Sequence, residues 1–388
     1  MNKINISKDI KYIGVDDKDI DLFESQYKVK NGISYNSYII KDEKTVIMDT
    51  VDRRKSKEWM ENLENELDNK EPDYLVISHL EPDHSYNIGK ITSKYPNMKL
   101  VGNSKTFSML PQFFDIDNLE ERKVEVKEGD ELNIGNHTLK FFMAPMVHWP
   151  EVMVTYEKNE KILFTADGFG KFGTLDTEEE WIPEARRYYF NIVGKYGMQV
   201  QSLLKKVANL DVKMICPLHG PVLKDNLEYY ISEYDKWSKY ESEEDGVFIA
   251  YASIHGNTAE AVGYLEDELK KRGIQNITVA DLSRDDLSLA ISNAFAYNKM
   301  ILAASSYNCS VFPPMENFLK QLSAKNYQNR KIGLIENGSW APSAGKCMKE
   351  IISAMKNIEI CEPMVTIKTR LDNTSKDEMN QLIEGIIK

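Results

Sequence analysis

Beyond residue 246 the chain carries five apolar runs: VFIAYAS (247–253), NITVADL (276–282), KMILAAS (299–305), KIGLIENG (331–338) and PMVTIKT (363–369). Helical patterns such as TAEAVGYLEDELKKRG and SAGKCMKEIISAMKN separate them. Few folds accommodate such a rhythm. Each apolar strand must be covered on both faces, and the intervening helices can cover it only in a doubly wound parallel sheet. About 140 residues are enough for one domain of this kind.

The polar, acidic stretch YDKWSKYESEEDG precedes this region and places a division between domains of 1–245 and 246–388. Before it the pattern differs. NSYIIKDEKTVIMDT and MVTYEKNEKILFTAD each read as two strands around a charged turn. SKEWMENLENELDN and RRYYFNIVGKYGMQVQSLLKKVAN have helical periodicity. Strand pairs mixed with helices predict an α/β sandwich with sheets inside and helices outside.

Four apolar runs in this first part deliver a metal-ligating side chain near their C-terminal ends. DYLVISH ends on His79, LKFFMAPMVH on His148, KILFTAD on Asp167 and VKMICPLH on His219. Sheet edges of this kind gather functional groups, because strands converge there while loops are free to vary. The segment HLEPDHS adds Glu81, Asp83 and His84 directly after His79. Four imidazoles and three carboxylates clustered without a cation would be strongly unstable, so the pattern predicts a metal site. A donor set this rich in oxygen favours iron or manganese over zinc. His137, in NIGNHTLKF, reads instead as a surface residue in a turn.

A second site is expected where the first C-terminal strand meets its helix. In YASIHGNTAEAV, Ser253, Ile254, His255, Gly256, Asn257 and Thr258 form a short polar loop running into a helix N-terminus. Free backbone N–H groups and the helix dipole suit that position to phosphate. The loop contains neither G-K-[ST] nor G-x-G-x-x-G, which excludes a P-loop and a dinucleotide fingerprint. Two further loops, ASSYNCSVFPP and ENGSWAPSAGK, follow the third and fourth strands. They supply Ser305, Ser306, Tyr307, Asn308, Gly338, Ser339 and Trp340 as candidate contacts to a flat ring.

Two resemblances follow from these motifs. HLEPDHS, APMVHWPE, TADGFG and PLHGP, in that order, resemble the two-metal site of the metallo-β-lactamase fold, and SIHGNT is similar to the phosphate loop of flavodoxins. A metallo-β-lactamase-like αββα sandwich followed by a flavodoxin-like domain resembles the flavodiiron proteins over essentially the whole chain. The resemblance implies FMN and two iron ions per chain. One iron would take His79, Glu81 and His148, the other Asp83, His84 and His219, with Asp167 bridging. It also implies reduction of O2 to water, or of NO to N2O, by electrons passed through FMN. The chain would form a head-to-tail homodimer or a dimer of dimers. Hydrolases of the fold typically carry histidine where Glu81 stands, so a binuclear zinc hydrolase with an appended flavodoxin-like domain is the competing expectation. A flavodoxin-like electron carrier with a vestigial first domain is a third.

Composition narrows the partners. A net charge of -12 argues against nucleic acid or an anionic membrane. With no apolar leader and no run of eighteen apolar residues, a cytoplasmic location is expected. Four scattered cysteines without a C-x-x-C pair read as buried or partly buried thiols, and imply that electrons come from a separate donor, expected to be a rubredoxin.

Overall fold

The computed structural model describes residues 4 and 6–388, which form two compact units. One runs to Tyr189 and includes Tyr196–Asp235; the other comprises Phe190–Lys195 and Lys236–Lys388.

In the first unit two sheets face each other. The six-stranded sheet has the order Ile10–Tyr12, Tyr38–Lys41, Thr45–Met48, Tyr74–Val76, Lys99–Gly102 and Lys123–Glu125. The five-stranded sheet has the order Glu131–Asn133, Thr138–Met143, Met153–Glu157, Ile162–Phe164 and Met214–Cys216. Both expected hairpins form, with Tyr38 opposite Met48 and Thr155 opposite Phe164. Between the sheets lies a continuous core in which Ile40, Val46, Val76 and Val101 of one meet Leu139, Phe141, Ile162 and Phe164 of the other. The helix Ser56–Leu67 buries Trp59, Met60, Leu63 and Leu67 along one stripe, as its period requires.

The segment RRYYFNIVGKYGMQVQSLLKKVAN departs from expectation. Instead of one helix it forms Trp181–Tyr188, a π-turn at Tyr189–Val193, a 3-10 turn at Gly194–Tyr196 and a helix at Gly197–Val207. Apolar periodicity continues across the break, but two glycines three residues apart weaken the helix there.

The second unit is a parallel sheet in the order Ile277–Asp281, Glu244–Ala252, Tyr297–Tyr307, Arg330–Asn337, followed by Ile358–Ile360 and Val365–Ile367. The first strand therefore lies between the second and third, and the order reverses there. Ligands of doubly wound sheets bind at such a switch point, beyond the strand C-termini. This unit begins earlier than the division at 245/246 read from the sequence, and packing explains why. Trp237 meets Phe190 at 6.1 Å between ring centroids, and Phe190 stacks on Phe295 at 4.0 Å. The buried Arg330 guanidinium also donates to the carbonyls of Tyr240 (2.7 Å) and Phe295 (2.5 Å). Among the described residues no helix is long and apolar enough to cross a membrane.

Cys216 and Cys361 are buried and Cys347 is half-buried, but Cys309 is exposed, contrary to the sequence reading. Asn308 (φ 50°) and Cys309 (φ 58°) form the two-residue turn that returns the third strand onto Ser310–Val311. Both residues of such a turn have positive φ.

Candidate functional site

The seven side chains singled out in the first unit converge beyond the C-terminal ends of its strands. His79, Glu81, His148 and Asp167 form one group with ligand atoms close enough to share an ion, and Asp83, His84 and His219 form another. In the first, His148 Nε2 lies 3.0 Å from Glu81 Oε2 and 3.2 Å from Asp167 Oδ2, and His79 Nε2 lies 3.2 Å from Glu81 Oε2. In the second, His84 Nε2 and His219 Nε2 are each 3.2 Å from Asp83 Oδ2 and 2.9 Å from each other. Asp167 stands between the two. Its Oδ2 faces His79 and His148, while its Oδ1 faces His84 at 3.4 Å and His219 at 3.8 Å.

The imidazoles are held with Nε2 inward. His79 Nδ1–H donates to Glu151 Oε1 at 2.8 Å, and the Leu80 N–H donates to the same oxygen at 2.8 Å. His219 Nδ1–H donates to the Ser34 carbonyl at 2.7 Å. These bonds fix the tautomers and leave the Nε2 lone pairs pointing at the cluster. Asp49 steadies the strand end, with Oδ1 accepting from the N–H groups of Ser78 (2.7 Å) and His79 (3.4 Å). Its backbone is left-handed (φ 55°), a strain typical of functional positions.

A cation fits the electrostatics. Burial pushes the imidazoles down, yet the facing carboxylates outweigh it: His84 is raised to about 10 beside Asp83 and Asp167, and His148 to about 9 beside Asp167 and Glu81. Burial likewise raises Glu81, but His148 and His79 hold it below its ordinary value. Both Asp83 oxygens and Asp167 Oδ1 are buried without a hydrogen-bond partner, although imidazole nitrogens lie nearby. Without a metal, protons on the imidazoles must balance this negative charge; the unpartnered oxygens of Asp83 and Asp167, each facing imidazole nitrogens, are what ligands arranged for a cation look like.

Aromatic side chains enclose this cluster. Phe23 and Tyr188 each lie 5.4 Å from the His219 ring, and Trp149 lies 5.2 Å from His79. Tyr188 both packs in the core and lines the pocket, being buried against Phe172 and facing His219. Glu151 escaped notice as the partner of His79, although it closes the quoted motif APMVHWPE.

Since Glu151 fixes the His79 tautomer, Glu151→Gln is expected to weaken metal affinity about 10–100-fold. Iron retention under chelator competition measures this, and unchanged retention would remove the orienting role.

The second unit has a cavity of about 580 Å³ at its switch point. Ser253, Ile254, His255, Asn257, Thr258, Ser305, Ser306, Tyr307, Asn308, Gly338, Ser339 and Trp340 line it. Gly256 belongs to the same loop, with φ 97° and open space where a Cβ would stand. Its N–H donates to Ser253 Oγ at 3.1 Å. The helix Asn257–Lys271 then starts with no side-chain cap on its first turn, so its N–H groups face an anion-sized space. Thr258 and Ser305 hydroxyls are 3.0 Å apart on the cavity floor. The Ser306 hydroxyl is engaged elsewhere, accepting from Ser343 N (2.8 Å) and Ala344 N (3.1 Å). Trp340 is 92% exposed and Tyr307 45% exposed, so both aromatics stand at the rim. Asn337 and Thr369 also line the cavity and were missed, although Thr369 ends the run PMVTIKT, a strand end like the others.

A two-metal αββα sandwich joined to a flavodoxin-like sheet with a phosphate-sized loop defines the class. Comparison with known proteins agrees. Residues 33–220 match the family model described as ODP family beta lactamase. An anaerobic nitric oxide reductase flavorubredoxin of Aliivibrio fischeri is 31% identical over 87% of this chain and 70% of its own length. An uncharacterized protein of Methanocaldococcus jannaschii is 30% identical over 90% of this chain and 88% of its own. Among solved structures, rubredoxin:oxygen oxidoreductase of Desulfovibrio gigas has the same fold, with a TM-score of 0.92 and 22% identity over 100% of this chain and 98% of its own. A point mutant of the flavo di-iron protein of Thermotoga maritima reaches a TM-score of 0.87 at 25% identity, covering 97% of this chain and 95% of its own. The chain belongs to the flavodiiron protein family.

Proposed function

We propose that this protein is a flavodiiron reductase of O2 or NO, with His79, Glu81 and His148 on one iron, Asp83, His84 and His219 on the other, and Asp167 bridging. The observation that carries the reading is the Asp167 carboxylate, one oxygen turned to each ligand group. Ser253–Thr258 would hold the FMN phosphate, and the loops around Tyr307 and Ser339 would flank its ring. When bound, two ferrous ions and fully reduced FMN together supply four electrons, enough to convert O2 to two waters.

The chain's own residues set the conditions for that chemistry. Glu151 and Ser34 hold the His79 and His219 rings so that no reorientation is needed. Phe23, Tyr188 and Trp149 form an apolar collar that limits bulk water at the cluster. Glu81 places a carboxylate on the first group, which favours iron over the zinc of a hydrolase. A cavity suited to a flavin has no use in a hydrolase. The first unit would therefore act as the gas-reducing part and the second as the flavin-holding part.

External electrons would come from a separate donor such as a rubredoxin, in the cytoplasm. The active form would be a head-to-tail dimer or dimer of dimers, in which one chain's flavin serves the other's metals. An enzyme sedimenting mostly as monomer while fully active would contradict that assembly. Turnover of each gas, with the same reductant and reduced rubredoxin, tests the function. Consumption of O2 or NO dependent on both iron and FMN is expected. Hydrolase activity without gas consumption would overturn it.

A further inference from the structure

At the far end of the strands that lead to His148 and Asp167, a second kind of metal-ligating group has formed. Asp9 precedes the strand Ile10–Tyr12, His137 precedes Thr138–Met143, and Glu160 lies in the turn between Met153–Glu157 and Ile162–Phe164. One ligand atom of each falls within 4.8 Å of the others.

His137, expected at the surface, is only 1% exposed. The reason is Glu157, a buried carboxylate whose Oε1 lies 3.0 Å from His137 Nδ1 and also accepts from the Asn159 N–H at 2.8 Å. Its Oε2 accepts from the Glu160 N–H at 2.6 Å. Asp42 accepts from the backbone N–H of His137 at 2.7 Å. With Nδ1–H donated to Glu157, the Nε2 lone pair is directed outward. Among the described residues Nε2 has no hydrogen-bond partner, and its neighbour Asp9 Oδ2 is 3.8 Å away, beyond hydrogen-bonding distance. A carboxylate behind a histidine whose other nitrogen faces carboxylates is the arrangement that orients and strengthens metal-ligating imidazoles. Three carboxylates, Asp9, Glu157 and Glu160, lie near this one imidazole, a setting that suits a cation.

We propose that Asp9, His137 and Glu160 form a third metal site, separate from the Asp167 cluster, that takes one divalent cation of the zinc class. One imidazole nitrogen and two carboxylate oxygens suit Zn2+, with water completing the shell. Asp9 and Glu160 are partly exposed, which leaves their side chains room to close onto an ion. Bound there, the ion ties the edge strand of one sheet to a turn of the other, so its role is structural.

The test is Zn2+ uptake by the iron- and FMN-loaded protein at buffered free Zn2+, with iron and FMN followed in the same samples. One Zn2+ per chain is expected without loss of iron or flavin, together with a rise in Tm. Asp9→Asn and Glu160→Gln, both at partly exposed positions, should each weaken uptake at least about tenfold and abolish the Tm rise, leaving gas turnover unchanged. No uptake, uptake matched by iron loss, or equal uptake by the doubly substituted protein would each overturn the site.

Discussion

Asp167→Asn is expected to lose at least one of the two irons and to reduce gas turnover at least about 100-fold. Asp167 Oδ2 lies 3.2 Å from His148 Nε2 and Oδ1 lies 3.4 Å from His84 Nε2, so a single carboxylate serves both groups. Asparagine preserves the shape but removes the negative charge between two dications. It also turns an N–H2 group, a donor with no lone pair to offer, towards one of them. Metal analysis separates this from misfolding, because FMN bound by the other unit should stay at one per chain. If both irons remain and turnover persists, Asp167 is not the bridge.

Ser253→Asp should have a comparable effect by a different route: FMN is lost while both irons stay. Ser253 lines the cavity and its hydroxyl accepts from the Gly256 N–H, at the start of the helix proposed to receive the phosphate. A carboxylate about 5 Å from the phosphate costs about 3 kcal/mol per unit of charge at an effective dielectric of 20, a loss of more than about 100-fold in affinity. The purified protein should be colourless in the flavin region and inactive with its donor. Full flavin occupancy would place the phosphate elsewhere.

How much of this was legible in the sequence depended on how local each signal was. The strands around residues 247–369 were readable because each is a short apolar run between helices, and their alternation implied a parallel sheet; its order, with the first strand between the second and third, came only from the structure. His79, His148, Asp167 and His219 were readable because each ends such a run. Glu151 was not, since its partner His79 is 72 residues away and adjacency in the chain says nothing of that bond. His137 was misread for the same reason: the turn around it is polar, and its burial depends on Glu157 on the neighbouring strand. The π-turn at Tyr189–Val193 interrupts a helix without disturbing its apolar period, so periodicity alone could not reveal it. The edge of the second unit was displaced from 245 because Trp237 and Tyr240 carry apolar surface inside a stretch whose charges suggest a linker.

The central claim is that Glu81 and its six companions hold iron for electron chemistry alongside a flavin. Metal analysis and the visible spectrum of the protein as purified test it most directly. Two irons and one FMN per chain, the flavin bleaching on reduction and returning when O2 or NO is admitted, is the predicted result. Two zinc ions and no flavin would contradict it.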